Sequence, residues 1–120
     1  MDNYTEKQRI IQELVPGKQI TLAHIIANPD EILYKKLGLD PAVEYSKSAI
    51  GILTLSPAET AIIASDIAIK SSGAQLGFVD RFSGTVIITG TFSEVDASLR
   101  AVTQYAEETL GFSVCKITKT

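Results

Sequence analysis

The sequence predicts an α+β domain of the ferredoxin-like kind, an antiparallel sheet with helices, and three observations carry that prediction. From Ala49 onward the chain reads strand, helix, strand, strand, helix, strand, which is the split βαβ order. Within that run, Ser48 to Thr91 (SAIGILTLSPAETAIIASDIAIKSSGAQLGFVDRFSGTVIITGT) holds a strand, a helix opened by Ser-Pro, and two strands joined by a glycine-closed turn. The length of 120 residues suits one hydrophobic core and leaves no room for a second domain. A short N-terminal β arm precedes the domain.

Residues 1 to 9 are polar. Ile10 to Val15 is a short apolar-rich segment stopped by Pro16-Gly17, and it reads as a short strand or arm. Gln19 to Ala27 (QITLAHIIA) is β-branched and turns apolar on both faces at its end, as a strand covered on both sides should. Asn28-Pro29-Asp30-Glu31 then offers an N-cap, a proline at the first helical position and acids in the first turn. This predicts a short helix to Leu37 with Gly38 as its stop. Leu39 to Lys47 has no period and contains Pro41, so it reads as a connecting loop.

Ala49 to Leu55 is a buried strand. Ser56-Pro57-Ala58-Glu59 has the spacing of a capping box, and the helix it opens should end at Gly73. Ala61, Ala64, Ser65 and Ala68 permit that helix to pack closely. Ala74 to Val79 and Thr85 to Thr91 are strands flanking the turn Asp80 to Gly84. Ser93 with Asp96 is expected to cap the last helix. Val95, Leu99, Val102, Ala106 and Leu110 form its apolar stripe, and Gly111 ends it. Phe112 to Thr118 alternates and closes the chain as one more strand.

Composition narrows the function. Hydrophobic residues make up 45% against 21% charged, which is globular rather than disordered, and a net charge of -3 lacks the basic balance of a nucleic-acid binder. One cysteine, Cys115, excludes an intrachain disulfide and fits a reducing compartment such as the cytoplasm. The start MDNYTEKQRIIQE is unlike a secretory leader. No run approaches the ~18 apolar residues of a spanning helix. Neither nucleic acid nor membrane is an expected partner.

The chemistry is sparse. His24 has no second His and no cysteine at ligand spacing, so no metal site is expected and a structural or interface role is favoured. Cys115 could act as a nucleophile only with His24 beside it; a small half-buried side chain is the simpler reading. Asp66 and Lys70 have the spacing of a surface ion pair. Asp80 and Arg81 on a glycine-closed turn suit an active-site loop, an anion site or a plain hairpin connection, with the plain turn favoured. No GxGxxG, phosphate loop or GxSxG is present, and neither an enzyme nor a cofactor is expected.

Two stretches, GFVDRFSGTVIITG and SDIAIKSSGAQ, resemble the hexamer-forming shell domain of bacterial microcompartments. In that family a helix ending in Lys-small-small, here Lys70-Ser71-Ser72, precedes a strand, a pore-facing turn closed by Ser-Gly, and another strand. A strand like ITLAHIIA and a short helix like PDEILYKKLG close the ordinary chain, whereas here Ile20 to Gly38 come first. The sequence therefore resembles the circularly permuted branch, the ethanolamine- and propanediol-utilisation shell proteins of the EutS and PduU type. The leader RIIQELVPGKQITLAHIIANP is similar to theirs, and the likeness spans about residues 9 to 120.

The resemblance implies a non-enzymatic cyclic homohexamer. It would tile with other shell proteins into the wall of a cytoplasmic microcompartment around aldehyde-producing enzymes, which are further partners. It implies that Asp80, Arg81, Phe82, Ser83 and Gly84 form the turn near the sixfold axis, and that Lys70 lies on the hexamer edge. Ile10, Ile11, Gln12, Glu13, Leu14 and Val15 would form an arm, in a barrel capping one mouth of the pore. This divides the chain into a tail and arm, 1–17, and a permuted shell domain, 18–120. Asn28-Pro29-Asp30 departs from the ordinary Arg-Pro-His, so that arginine's edge contact does not transfer. The alternative function is a ferredoxin-like small-molecule-binding regulatory protein using the Asp80-Arg81 turn; an enzyme built on His24 and Cys115 is a third.

Overall fold

In a computed structural model, residues 17–120 are described, and the arm Ile10 to Val15 lies outside them. Strands β1 (Gln19–Ile26), β2 (Ala49–Ser56), β3 (Gln75–Asp80) and β4 (Thr85–Gly90) are joined by two short terminal strands, β5 (Ser113–Val114) and β6 (Thr118–Lys119). Helices α1 (Ile32–Lys36), α2 (Thr60–Ser71) and α3 (Phe92–Glu108) alternate with them. The sheet order is β3-β4-β2-β1-β5, with β6 also on β1, so the expected mixture of sheet and helices is the observed fold.

The central ladders are antiparallel: β1 on β2, β2 on β4, and β3 on β4. The far edge corrects the expectation of an all-antiparallel sheet, because β5 and β6 both run parallel to β1. The reason lies where α3 ends. Its carbonyl at Leu110 accepts from Lys18 Nζ at 2.8 Å, and Ser113 N donates to Lys18 O at 3.0 Å, so the chain re-enters the sheet at the start of β1 and must run the same way. The expected single strand over Phe112 to Thr118 is also split in two. The gap faces the bulge of β1 between Ile20 and Leu22, where a bulged strand leaves the ladder plane. That bulge also reverses side-chain parity, so Ile20, Ala23 and Ile25 all join one core.

Three helix starts differ from expectation. Asn28 caps nothing; strand-like pairing runs on through Ala27 N to Thr120 O (2.8 Å), and Asp30 Oδ1 instead accepts from Ile32 N at 3.1 Å. Ser56 stays in β2 opposite Gln19, and α2 opens on i+3 bonds from Thr60 to Pro57 and from Ala61 to Ala58. The capping box of α3 is Thr91 with Glu94: Thr91 Oγ1 accepts from Glu94 N at 3.2 Å, and Glu94 Oε1 accepts from Thr91 N at 2.9 Å. A glutamate three residues on reaches back to the cap; Asp96 is a methylene shorter and pairs with Arg100 at 2.9 Å.

Helices α2 and α3 cover one face of the sheet. Val95, Leu99, Val102 and Ala106, the predicted stripe, meet Leu53, Val86 and Ile88, while Ala61, Ala64 and Ala68 let α2 come close. Between the two helices Ser98 Oγ donates to Ala68 O at 2.7 Å and shares a 2.9 Å bond with Ser72 Oγ, so the buried hydroxyls are partnered. On the other face, α1 and the following loop set Tyr34 and Leu39 over Ile50 and Ile87.

Against the apolar core, Gly51 leaves no room for a side chain: an added Cβ would lie 2.6 Å from Val95 Cγ1 and 2.8 Å from Ile88 Cγ1. Gly51→Ala should therefore destabilise the fold by about 1–3 kcal/mol through overpacking. Gly17→Ala, with nothing within 4 Å of the added carbon, should leave the denaturant midpoint almost unchanged. Equal midpoints for the two variants would contradict this packing.

Candidate functional site

The Asp80 to Gly84 turn is built by its own polar groups. Asp80 Oδ1 accepts from Phe82 N at 2.8 Å, and its Oδ2 accepts from Ser83 Oγ at 2.9 Å. Those two donors, the Phe82 amide first and the Ser83 hydroxyl second, hold the Asp80 carboxyl below the usual carboxylate range. Gly84 closes the turn at φ +80°, a conformation that suits a residue without Cβ. Its N–H donates to Asp80 O and its carbonyl accepts from Leu55 N, both at 2.8 Å, tying the hairpin tip to the end of β2.

The carboxylate is thus spent on the turn, which leaves Arg81 and Phe82 as the outward groups. Phe82 is 81% exposed and the Arg81 guanidinium carbon sits 5.0 Å from its ring centroid. A large apolar side chain held out on a rigid tip is unusual for an isolated domain.

Apolar side chains are also exposed on β3, which leads into the turn, and on α2. Leu76, Phe78 and Val79 are each about two-fifths exposed on β3, which is an edge strand, and Ile62, Ile63 and Ile69 are exposed on α2. Sequence reasoning singled out the turn and missed this surface. The signal was present: α2 carries isoleucines outside its alanine face, and β3 lacks the polar alternation of a half-solvated strand. Lys70, on the same helix, is exposed and bonds Asp66 at 2.9 Å, the ion pair that its spacing predicted. Such an exposed pair contributes about 0–1 kcal/mol.

The remaining candidates separate. The two ring nitrogens of His24 meet Thr118 Oγ1 at 2.6 Å and Thr120 Oγ1 at 2.8 Å, so the imidazole clamps the C-terminal strand. Cys115 packs against the core on the helix side. His24 lies between Ala23 and Ile25, which face that same core, and therefore points to the opposite face of the sheet. The structure does not bring the imidazole and the thiol together, and the pairing that an enzyme would need is not there.

The BMC domain family matches residues 49–118. Over all 120 residues the chain is 52% identical to the bacterial microcompartment shell protein PduU of Salmonella typhimurium, with both chains fully covered. It is 50% identical over 111 residues to the shell protein CutR of Streptococcus intermedius, covering 92% of this chain and 91% of that one. Among solved structures it is similar to a CutR flat hexamer, with TM-score 0.80 and 47% identity over 88% of this chain and 94% of the other. The chain belongs to the BMC-domain family of bacterial microcompartment shell proteins.

Proposed function

We propose that this chain is a structural building block of a microcompartment wall, a cyclic homohexamer that tiles with other shell proteins around aldehyde-producing enzymes in the cytoplasm. The observation that carries the reading is full-length similarity to shell proteins joined to an exposed apolar surface over α2, β3 and the Phe82 turn. A second copy of the chain would remove that surface from water. At roughly 25 cal/mol per Å² of apolar area, six such contacts closing on themselves make a ring stable. A ring also needs no catalytic group.

The finer parts of the reading concern particular segments. The block Gln19 to Lys36 precedes the matched domain, yet β1 lies beside β2 in the middle of the sheet, an arrangement that supports circular permutation within residues 18–120. The Asp80 to Gly84 turn, with its rigid backbone and outward Arg81 and Phe82, would surround the sixfold axis. Residues 1–17 would supply the arm, Ile10 to Val15 pairing with the same segment of neighbouring copies as a barrel over one mouth of the pore. A short strand of that kind needs partners from other subunits. Lys70 would meet adjacent hexamers at the edge, exchanging its weak bond to Asp66 for contacts across the seam.

Native mass spectrometry of the full chain at micromolar concentration should show a hexamer; a strictly monomeric or dimeric species would overturn the ring. Lys70→Ala should leave the hexamer intact and impair two-dimensional sheet formation in electron micrographs. Unchanged sheets would remove Lys70 from the seam. Deleting residues 1 to 16 should preserve the ring and open one mouth of its pore, whereas dissociation to monomers would assign the arm to holding subunits together.

A further inference from the structure

On the face away from α2 and α3, α1 and the 39–47 loop enclose a groove of about 750 Å³, within the size range of small-ligand sites. Its wall is aromatic and fixed. Tyr34 and Tyr45 stack with centroids 5.5 Å apart, and Tyr34 Oη donates to Ser48 O at 2.6 Å, so the pair is held before anything binds. Tyr45 is only half-buried and lines the groove.

The charges around this wall are uneven. Glu31, Asp40 and Glu44 line the groove against a single ammonium, Lys35. Among the described residues none of these carboxylates makes an ion pair, since the pairs present are Lys70 with Asp66 and Arg100 with Asp96. Glu44 and Glu31 converge on one residue: Glu44 Oε1 accepts from Ser46 N at 2.8 Å and Glu31 Oε1 from Ser46 Oγ at 3.4 Å. Burial first, and the nearby Glu31 carboxylate second, push the Tyr34 phenol above its usual range. An aromatic wall beside converging carboxylates attracts positive charge on an apolar body, because the ring faces and the carboxylates act in the same direction.

We propose that this groove binds small organic cations of the alkylammonium class, with Tyr45 as the aromatic contact and Glu31 and Glu44 as counter-charges. The proposal does not rest on the ring, and its failure would leave the hexamer reading untouched. Calorimetric titration of the full-length protein at low salt with tetramethylammonium chloride should show saturable binding of one cation per chain, while tert-butanol, similar in shape but neutral, should not bind. Tyr45→Leu and the double variant Glu31→Gln, Glu44→Gln should each weaken binding about tenfold, and Tyr45→Phe, which keeps the ring, should retain it. No saturable heat, equal binding of tert-butanol, or unchanged affinity in both weakened variants would overturn the proposal.

Discussion

The ladder between β1 and β2 is the interaction on which the other elements depend. It runs from Gln19 opposite Ser56 to Ile26 opposite Ile50 and puts a strand that comes early in the chain into the middle of the sheet. The last strands then have a partner only because β1 offers its second edge: Ser113 and Val114 join one end, and Thr118 and Lys119 the other. Lys18, just before β1, donates to Leu110 O just beyond the end of α3, and His24 holds Thr118 and Thr120. Both ends of the described chain are thereby fastened to one element.

With β1 inside, the opposite edge of the sheet falls to β3. An edge strand in a soluble monomer is normally protected by charge, proline or brevity, yet this one exposes Leu76, Phe78 and Val79 and is flanked by the isoleucines of α2. The proposed ring would resolve the conflict. Relatives that share about half of the sequence are shell proteins, and a CutR hexamer has a similar fold. The core beneath is complete without a neighbour, from Ile20 to Phe112, so the exposed side chains are surplus to folding.

The turn at Asp80 shows how a polar motif can be structural. Its carboxylate accepts from an amide and a hydroxyl of its own loop, which stabilise the ionised form and make it a weaker base, and Gly84 bonds back to β2. The same self-sufficiency makes the tip rigid and presents Arg81 and Phe82 outward. The hydrogen bonds of Asp80 are thus internal to the turn, as the plain-turn reading expects.

Much of the fold was legible in the sequence because it rests on local periodicity and turn chemistry. The alanine face of α2, the stripe of α3, the Asp80 to Gly84 hairpin and the Asp66–Lys70 pair all depend on residues a few positions apart. The apolar excess of Ile62, Ile69, Leu76 and Phe78 was also written there, although its exposure was not. What only the tertiary structure decided were matters of competition between distant segments. Whether Ser56 caps a helix or stays in its strand depended on Gln19, the pairing beyond β1 at Ala27 depended on Thr120, and the parallel direction of the last strands depended on where the chain leaves α3 beside Lys18. The groove lined by Tyr34 and Tyr45 likewise arises from a loop without a period folding back on a short helix. Sequence fixes preferences within a turn or a strand, but pairing partners far apart in the chain are chosen by which backbone groups remain unsatisfied once the core has closed.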